Sequence, residues 1–270
     1  MRTRALLALP AAALLALTAC GGSSNDAASG SSSSSAAESS RGDLAGTLTV
    51  FAAASLTDVF TGLGDQLEKE NPELDVRFNF AGSDALATQI TQGAPADVFA
   101  SANEKQMKVV TDAGLQGADP TIFAENVLEI AVPKGNPGKV TGIADFANPD
   151  LTLAICAAEV PCGAAAEKVF AAAGVDAKPD TEEEDVKAAL TKVQLGEVDA
   201  ALVYASDVVA AGDKVEGIEF PEAEKAINKY PICTLKAAAN PDAAKAFVDL
   251  VRSDDGQKAL EDAGFRAPTG

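Results

Sequence analysis

The stretch Thr49-Val-Phe-Ala-Ala-Ala-Ser-Leu-Thr-Asp58 reads as an apolar strand, a small hydroxyl residue and the opening of a helix in immediate succession. The run 48–54 has the length and side chains of a strand, and a helical pattern over 56–68 follows it. Ser55 falls between them, where a side-chain oxygen serves as a helix N-cap. The same grammar recurs in FNFAGSDALATQI (78–90), VPCGAAAEKVF (160–170) and TEEEDVKAAL (181–190), the last read as entered from a loop. A helix start leaves backbone N–H groups unpaired and carries a partial positive charge. Several such starts aimed at one point make an anion site without any Lys or Arg.

Working outward, short apolar runs such as LTVFAA, DVRFNF, DVFAS, VLEIAVP, LTLAIC and AALVYAS alternate with helical patterns of ten or more residues. That alternation predicts an α/β architecture with mostly parallel sheets. No repeat of fixed period interrupts it. The stretch VLEIAVPKGNP divides the runs into two strand-rich halves, which predicts two domains.

The first 45 residues are of another kind. Arg2 and Arg4 precede a short apolar run over 5–17, too short to span a bilayer, and 1–19 reads as an export signal. The tetrapeptide Leu17-Thr18-Ala19-Cys20 resembles a bacterial lipobox, in which Cys20 would be lipidated and become the new N-terminus; cleavage as an ordinary secretory peptide near Ala19 is the alternative. Both export the protein, and lipidation would hold it at the outer face of the cytoplasmic membrane. Residues 20–45, rich in Gly, Ser and Ala, are too poor in apolar side chains to fold and read as a tether. Its typical reach would be about 25 to 30 Å.

The full chain of 270 residues carries a net charge of −19, and loss of Arg2 and Arg4 leaves 19 basic against 40 acidic residues, or −21. Such a surface repels nucleic acid, so no nucleic-acid partner is expected. It also repels anions at long range, so an anion site must act through short-range hydrogen bonds. There is no His, which excludes His-based triads and His-ligated metals. No GxSxG elbow occurs either, and no enzymatic activity is expected. In an exported protein Cys156 and Cys162 could form a disulfide around 157–161; three buried thiols, Cys233 included, are the alternative.

Ser55 and Ser83 stand at carboxyl ends of predicted strands, where open α/β sheets bind ligands, although each could be a plain cap. Gly82 removes a side chain that would obstruct close approach. Pro161-Cys162-Gly163 reads as a turn before a helix over 164–173, with the Cys162 N–H near its start. Thr181 to Glu184 would load the next helix's first turn with carboxylates, and Val186 follows with a free N–H. Tyr204 ends a very apolar strand and either donates one directed hydrogen bond or packs in the core.

Taken together, FAAASLTD, FAGSDALATQI, GAPADVFASA, VPCG, EDVKAALTKVQLGEVDAALVYASD, KYPI and FVDLVRSDDGQKALEDAGF resemble the periplasmic molybdate-binding proteins of ABC importers, in the family's order and over nearly the whole chain after the tether. The resemblance implies the type II binding-protein fold: one lobe from 46–127 plus 232–270, a second from 128–231, and a hinge between them. It implies an oxyanion, molybdate or tungstate, held by Ser55, Ser83, Cys162, Val186 and Tyr204, with Cys162 and Val186 acting through backbone N–H groups. The family more usually has Ala where Cys162 stands. It also implies delivery to a membrane permease by a monomer, with no cofactor and no direct metal-ion ligands. Another oxyanion such as sulfate is the competing ligand.

All these contacts are donors. A fully deprotonated dianion accepts from each of them, whereas hydrogen phosphate would bury an unpaired hydroxyl at a cost of about 1 to 3 kcal/mol. Sulfate has the right protonation but shorter bonds, so size must exclude it.

Overall fold

The computed structural model describes residues 44–269. The expected export signal, Cys20 and nearly all of the tether lie outside the described residues. Five strands make a first sheet: β1 (Ala45–Ala53), β2 (Glu73–Ala81), β3 (Val98–Ala100), β4 (Thr121–Asn126) and β10 (Asn228–Thr234), in the order β2-β1-β3-β10-β4. The second sheet contains β5 (Leu128–Pro133), β6 (Leu153–Cys156), β7 (Thr181–Glu183), β8 (Ala200–Tyr204) and β9 (Val215–Ile218), in the order β7-β6-β8-β5-β9.

The two sheets follow one plan. In the first, β2, β1 and β3 pair in parallel and β10 runs antiparallel to both β3 and β4. In the second, β7, β6 and β8 pair in parallel and β5 runs antiparallel to β8 and β9. Four strands of each sheet therefore share a direction and one is reversed. The reversed strands, β5 and β10, are the first that the chain lays down on arriving from the other lobe. The chain arrives at the interlobe end of the sheet, so its first strand must run away from the cleft that its neighbours run toward.

Helices cover the sheets. The first lobe carries α1 (Thr57–Glu70), α2 (Ser83–Thr91), α3 (Glu104–Asp112), α7 (Pro241–Arg252) and α8 (Asp254–Asp262). One face of its sheet packs on α1, α7 and α8 around Phe60, Phe123 and Phe247. The other face packs on α2 and α3 around Leu86, Phe99 and Met107. The second lobe has α4 (Pro161–Ala173), α5 (Val186–Leu195) and α6 (Ala205–Ala211) around one continuous core that includes Phe146, Val169 and Leu202. With strands this apolar, burial on both faces is the main stabilising term.

β10 escapes a reading by strand pattern because Asn-Lys-Tyr-Pro-Ile-Cys-Thr places Pro231 inside a central strand, a position Pro normally avoids. The ladder accommodates it with a register shift between Tyr230 and Pro231, and the Pro231 carbonyl still accepts from Ser101 N–H at 2.9 Å. The strand joins the first sheet from Asn228 onward, four residues before the expected return at 232. No helix among the described residues is long and apolar enough to cross a membrane.

Candidate functional site

The four helix starts meet, but their local structures differ from the expected ones. After β1 the chain makes a single 3-10 turn, Ala54–Leu56, and α1 begins at Thr57. Ser55 therefore caps no helix. Its buried hydroxyl lies 3.0 Å from the Tyr230 hydroxyl, and Thr57 Oγ1 closes the turn by donating to the Ala54 carbonyl at 2.7 Å. Ser83 is likewise no cap: it is the first residue of α2, after Gly82, and its Oγ accepts from Ala102 N–H at 3.0 Å. Both hydroxyls are held from across the sheet and not by their own helices, a contact that local sequence does not contain.

In the second lobe the helix starts are more nearly as read. α4 opens at Pro161 and not at 164, so Cys162 lies inside its first turn. Proline suits the first helical position because its missing N–H has no intrahelical acceptor to lose. The amides of Cys162 and Gly163 belong to the set that no carbonyl within the helix can serve. Cys162 is joined to Cys156, at the end of β6, by a disulfide with Cα atoms 5.7 Å apart. A Cβ on Gly163 would stand 1.9 Å from the Ala157 carbonyl oxygen, so the bridged loop lies directly on a glycine. Among the described residues Cys233 is a free thiol, buried beside Met107 Sδ and pushed up to about 12 by that burial.

The carboxylates of Thr181 to Glu184 do not fill a first helical turn. Thr181–Glu183 is strand β7, paired with β6, so α5 is entered from a strand and not from a loop. Asp185 is the N-cap, accepting from Ala188 N–H at 2.9 Å, and α5 begins at Val186. The amides of Val186 and Lys187 remain without an acceptor inside the helix.

Ser55, Ser83, Cys162, Val186 and Tyr204 all line one pocket between the lobes, together with Ala54, Gly82, Ala102, Val160, Pro161 and Asp185 among others. Its cavity is small, about 10 Å³, far below the roughly 300 to 1,000 Å³ usual for organic ligands. No Lys or Arg is among its lining residues. Asp185 is, and its carboxylate is turned to its capping bond. Among the described residues no group of His, Cys, Asp or Glu is arranged to hold a metal ion.

Tyr204 is fully buried, and its hydroxyl accepts from Asn228 Nδ2 at 2.8 Å. Burial first, then the neighbouring Tyr230 and Asp207, hold its pKa well above the ordinary phenol value. Burial likewise raises that of Tyr230. Both phenols keep their protons and can donate.

Lys187, which follows Val186 in α5, is not among the lining residues. Lys187 Nζ reaches Asp58 Oδ2 at 2.7 Å in the first lobe and lies 3.4 Å from Asp207 Oδ1 in the second. Burial works to lower the Lys187 pKa, but the two carboxylates outweigh it and keep the ammonium charged. Asp207 is raised to about 6, by burial above all, while Lys187 and the Tyr204 N–H pull it down. The lobes also touch where Gln106 Nε2 donates to the Glu159 carbonyl at 3.1 Å. A Cβ at Gly82 would stand 2.7 Å from the Glu184 carbonyl oxygen of the opposite lobe. Asp84 Oδ1 of its own lobe would stand equally close, at 2.7 Å, so Gly82 makes room both for the other lobe's backbone and for the first turn of α2.

Asn228, Tyr230, Ala102 and the Lys187–Asp207 pair are absent from a sequence reading of the site. The one available signal was that the chain has only two tyrosines; their rings pack edge to face, 6.0 Å apart, behind the pocket.

Two α/β lobes joined by two crossings, with helix starts and hydroxyls from both facing a small pocket between them, define a solute-binding protein. The chain belongs to the bacterial extracellular solute-binding protein family, whose sequence profile matches residues 48–266. It is 44% identical over 224 residues to the molybdate-binding protein ModA of Mycobacterium bovis, covering 83% of this chain and 86% of that one. Among solved structures it is similar to the substrate binding domain of a putative molybdenum ABC transporter from Clostridium difficile, at 31% identity and TM-score 0.62, covering 83% of this chain and 99% of that one. It shares the fold of the periplasmic molybdate-binding protein of Azotobacter vinelandii, at 21% identity and TM-score 0.71, over 82% of this chain and 100% of that one.

Proposed function

We propose that this protein captures molybdate, and tungstate with it, outside the cytoplasm and hands it to the membrane permease of an ABC importer. In this reading it is a monomeric, non-catalytic binding protein without a cofactor, tethered through lipidated Cys20. Ser55, Ser83 and Tyr204 donate through their hydroxyls, and Cys162 and Val186 through backbone N–H groups at the starts of α4 and α5.

One observation carries the reading: Ser55, Ser83, Cys162, Val186 and Tyr204, from two lobes, line one small pocket whose lining contains no Lys or Arg. Such a wall suits a small guest with acceptors on every side. A carboxylate ligand would ordinarily be clamped by a bidentate Arg. The mycobacterial relative's description supports molybdate as that guest. Molybdate has no proton to bury at neutral pH, and its oxygens accept from every donor at once. Closure follows because only the closed lobes complete the set.

Calorimetric titration of the full chain with molybdate, tungstate, sulfate and phosphate tests this. Tight binding of the first two and weak binding of the others is expected. Tight sulfate binding with no molybdate heat would overturn it.

A further inference from the structure

Each hydroxyl on the pocket has a neighbour behind it that can donate. Ser83 Oγ accepts from Ala102 N–H at 3.0 Å. Tyr204 Oη accepts from Asn228 Nδ2 at 2.8 Å, and the same carboxamide nitrogen donates to the Ala102 carbonyl at 2.8 Å. Ser55 Oγ lies 3.0 Å from Tyr230 Oη, a pair in which either atom can be the donor. Asn228 and Tyr230 both belong to β10, and both are buried. A hydroxyl oxygen that already accepts one bond still has its own hydrogen to give, and that hydrogen goes to whatever stands on the open side.

We propose that β10 sets the polarity of the pocket: Asn228 and Tyr230 donate into Tyr204 Oη and Ser55 Oγ from behind, and so commit both hydroxyls to donating to a guest that carries no proton. They are positioning residues, acting through Tyr204 and Ser55, and the proposal rests on the reading that these two hydroxyls face the anion. It explains how hydroxyls, which can in principle accept as well as donate, reject a protonated oxyanion. A guest bearing an O–H finds no acceptor among hydroxyls whose hydrogens already point at it.

The test titrates molybdate and inorganic phosphate into the full chain at neutral pH, where every phosphate ion carries at least one proton. Asn228→Asp replaces the donating amide with an acceptor, so the Tyr204 hydrogen should turn away from the pocket. Molybdate affinity should fall on the order of 100-fold while phosphate binding weakens less, narrowing the preference at least about tenfold. Tyr230→Phe removes one oxygen and little else; it should weaken molybdate roughly three- to tenfold and also narrow the preference. Asn228→Ala should cost about tenfold alone but less than about twofold in a Tyr204→Phe background, since the residue it positions is then gone.

If the molybdate-to-phosphate preference of Tyr230→Phe equals that of the wild type, or if Asn228→Ala costs the same in both backgrounds, the inference falls while the anion site stands. If the wild type binds neither anion, both fall together. Should Asn228→Ala fail to fold, Tyr230→Phe carries the test alone.

Discussion

The two lobes meet the same pocket with different chemistry. The first lobe offers side-chain hydroxyls, Ser55 on a 3-10 turn and Ser83 at the start of α2, each tied to a partner elsewhere in the fold. The second adds one hydroxyl, Tyr204 at the end of β8, but otherwise offers the open ends of α4 and α5, whose amides point outward because the helix itself can use no more of them. Backbone donors are set once the helix is in place. Hydroxyl donors rotate, and must be aimed by a neighbour. The helix ends of the second lobe are therefore the rigid part of the site, stiffened further by the Cys156–Cys162 bridge, whereas the hydroxyls, Tyr204 included, depend on contacts that tertiary structure supplies.

The largest expected effect attacks the join between the halves. Gly82→Ala places a methyl against the Glu184 carbonyl of the other lobe, while its backbone, at φ −55 and ψ 134, suits any residue. Molybdate affinity should fall by about 100-fold, or roughly 3 kcal/mol, with little change in unliganded melting temperature. Titration beside thermal melts would show it; a loss of fold stability as large as the loss of affinity would place the glycine's role inside the first lobe instead.

The second lobe has a pH dependence of its own. Asp207 titrates near 6 in the folded chain against an ordinary value of 3.8, so between those values the folded state holds a proton that the unfolded state has released. Its contribution to stability must then fall as pH rises through that window, by about 2 to 3 kcal/mol in all. Melting curves of wild type and Asp207→Asn from pH 4 to 7 should diverge accordingly, with the variant less sensitive. Parallel curves would show that Asp207 ionises normally.

Reducing the disulfide sharpens the contrast in rigidity. A loop this short constrains the unfolded chain by about 2 kcal/mol, so the Cys156→Ala, Cys162→Ala double variant should melt earlier. Its molybdate affinity should drop only a few-fold if the backbone N–H makes the contact, whereas a collapse of binding would give the bridge itself the central part.

Smallest is the difference between the serines. Each Ser→Ala should weaken binding by about 1 to 3 kcal/mol. Ser83→Ala should also lower the unliganded stability by about 1 kcal/mol, because it leaves Ala102 N–H buried without an acceptor, while Ser55→Ala leaves Tyr230 only a lost hydroxyl partner. Equal melting points for the two would contradict the assignment of Ser83 as the acceptor of that amide.

Much of this arrangement is legible along the chain. Strand runs such as 48–54 and 200–204 declare themselves because they are apolar and short, and the residues that follow them declare helix starts. The helix after Pro161 was legible but its start was not: Pro161-Cys162-Gly163 reads as a turn, whereas all three belong to α4, Pro161 at its first position and Gly163 under the Ala157 carbonyl. β7 was hidden because Thr-Glu-Glu has no apolar face, and β10 because Pro231 argued against a central strand. The assignment of Ser55 and Ser83 as caps failed for one reason: capping is a local habit, and both hydroxyls found better partners more distant in sequence.

Side-chain periodicity and backbone chemistry within a dozen residues were enough to read the α/β alternation, the helix starts and the donor residues beside them, but not the strand that leads into α5. Tertiary structure alone decided that the turns share one pocket, that Asn228 and Tyr230 lie behind its hydroxyls, and that Lys187 is engaged by Asp58 and Asp207 outside it. Such facts depend on which surfaces two lobes bring together, and hydrogen bonds across 24 to 175 positions of chain leave no trace in local pattern.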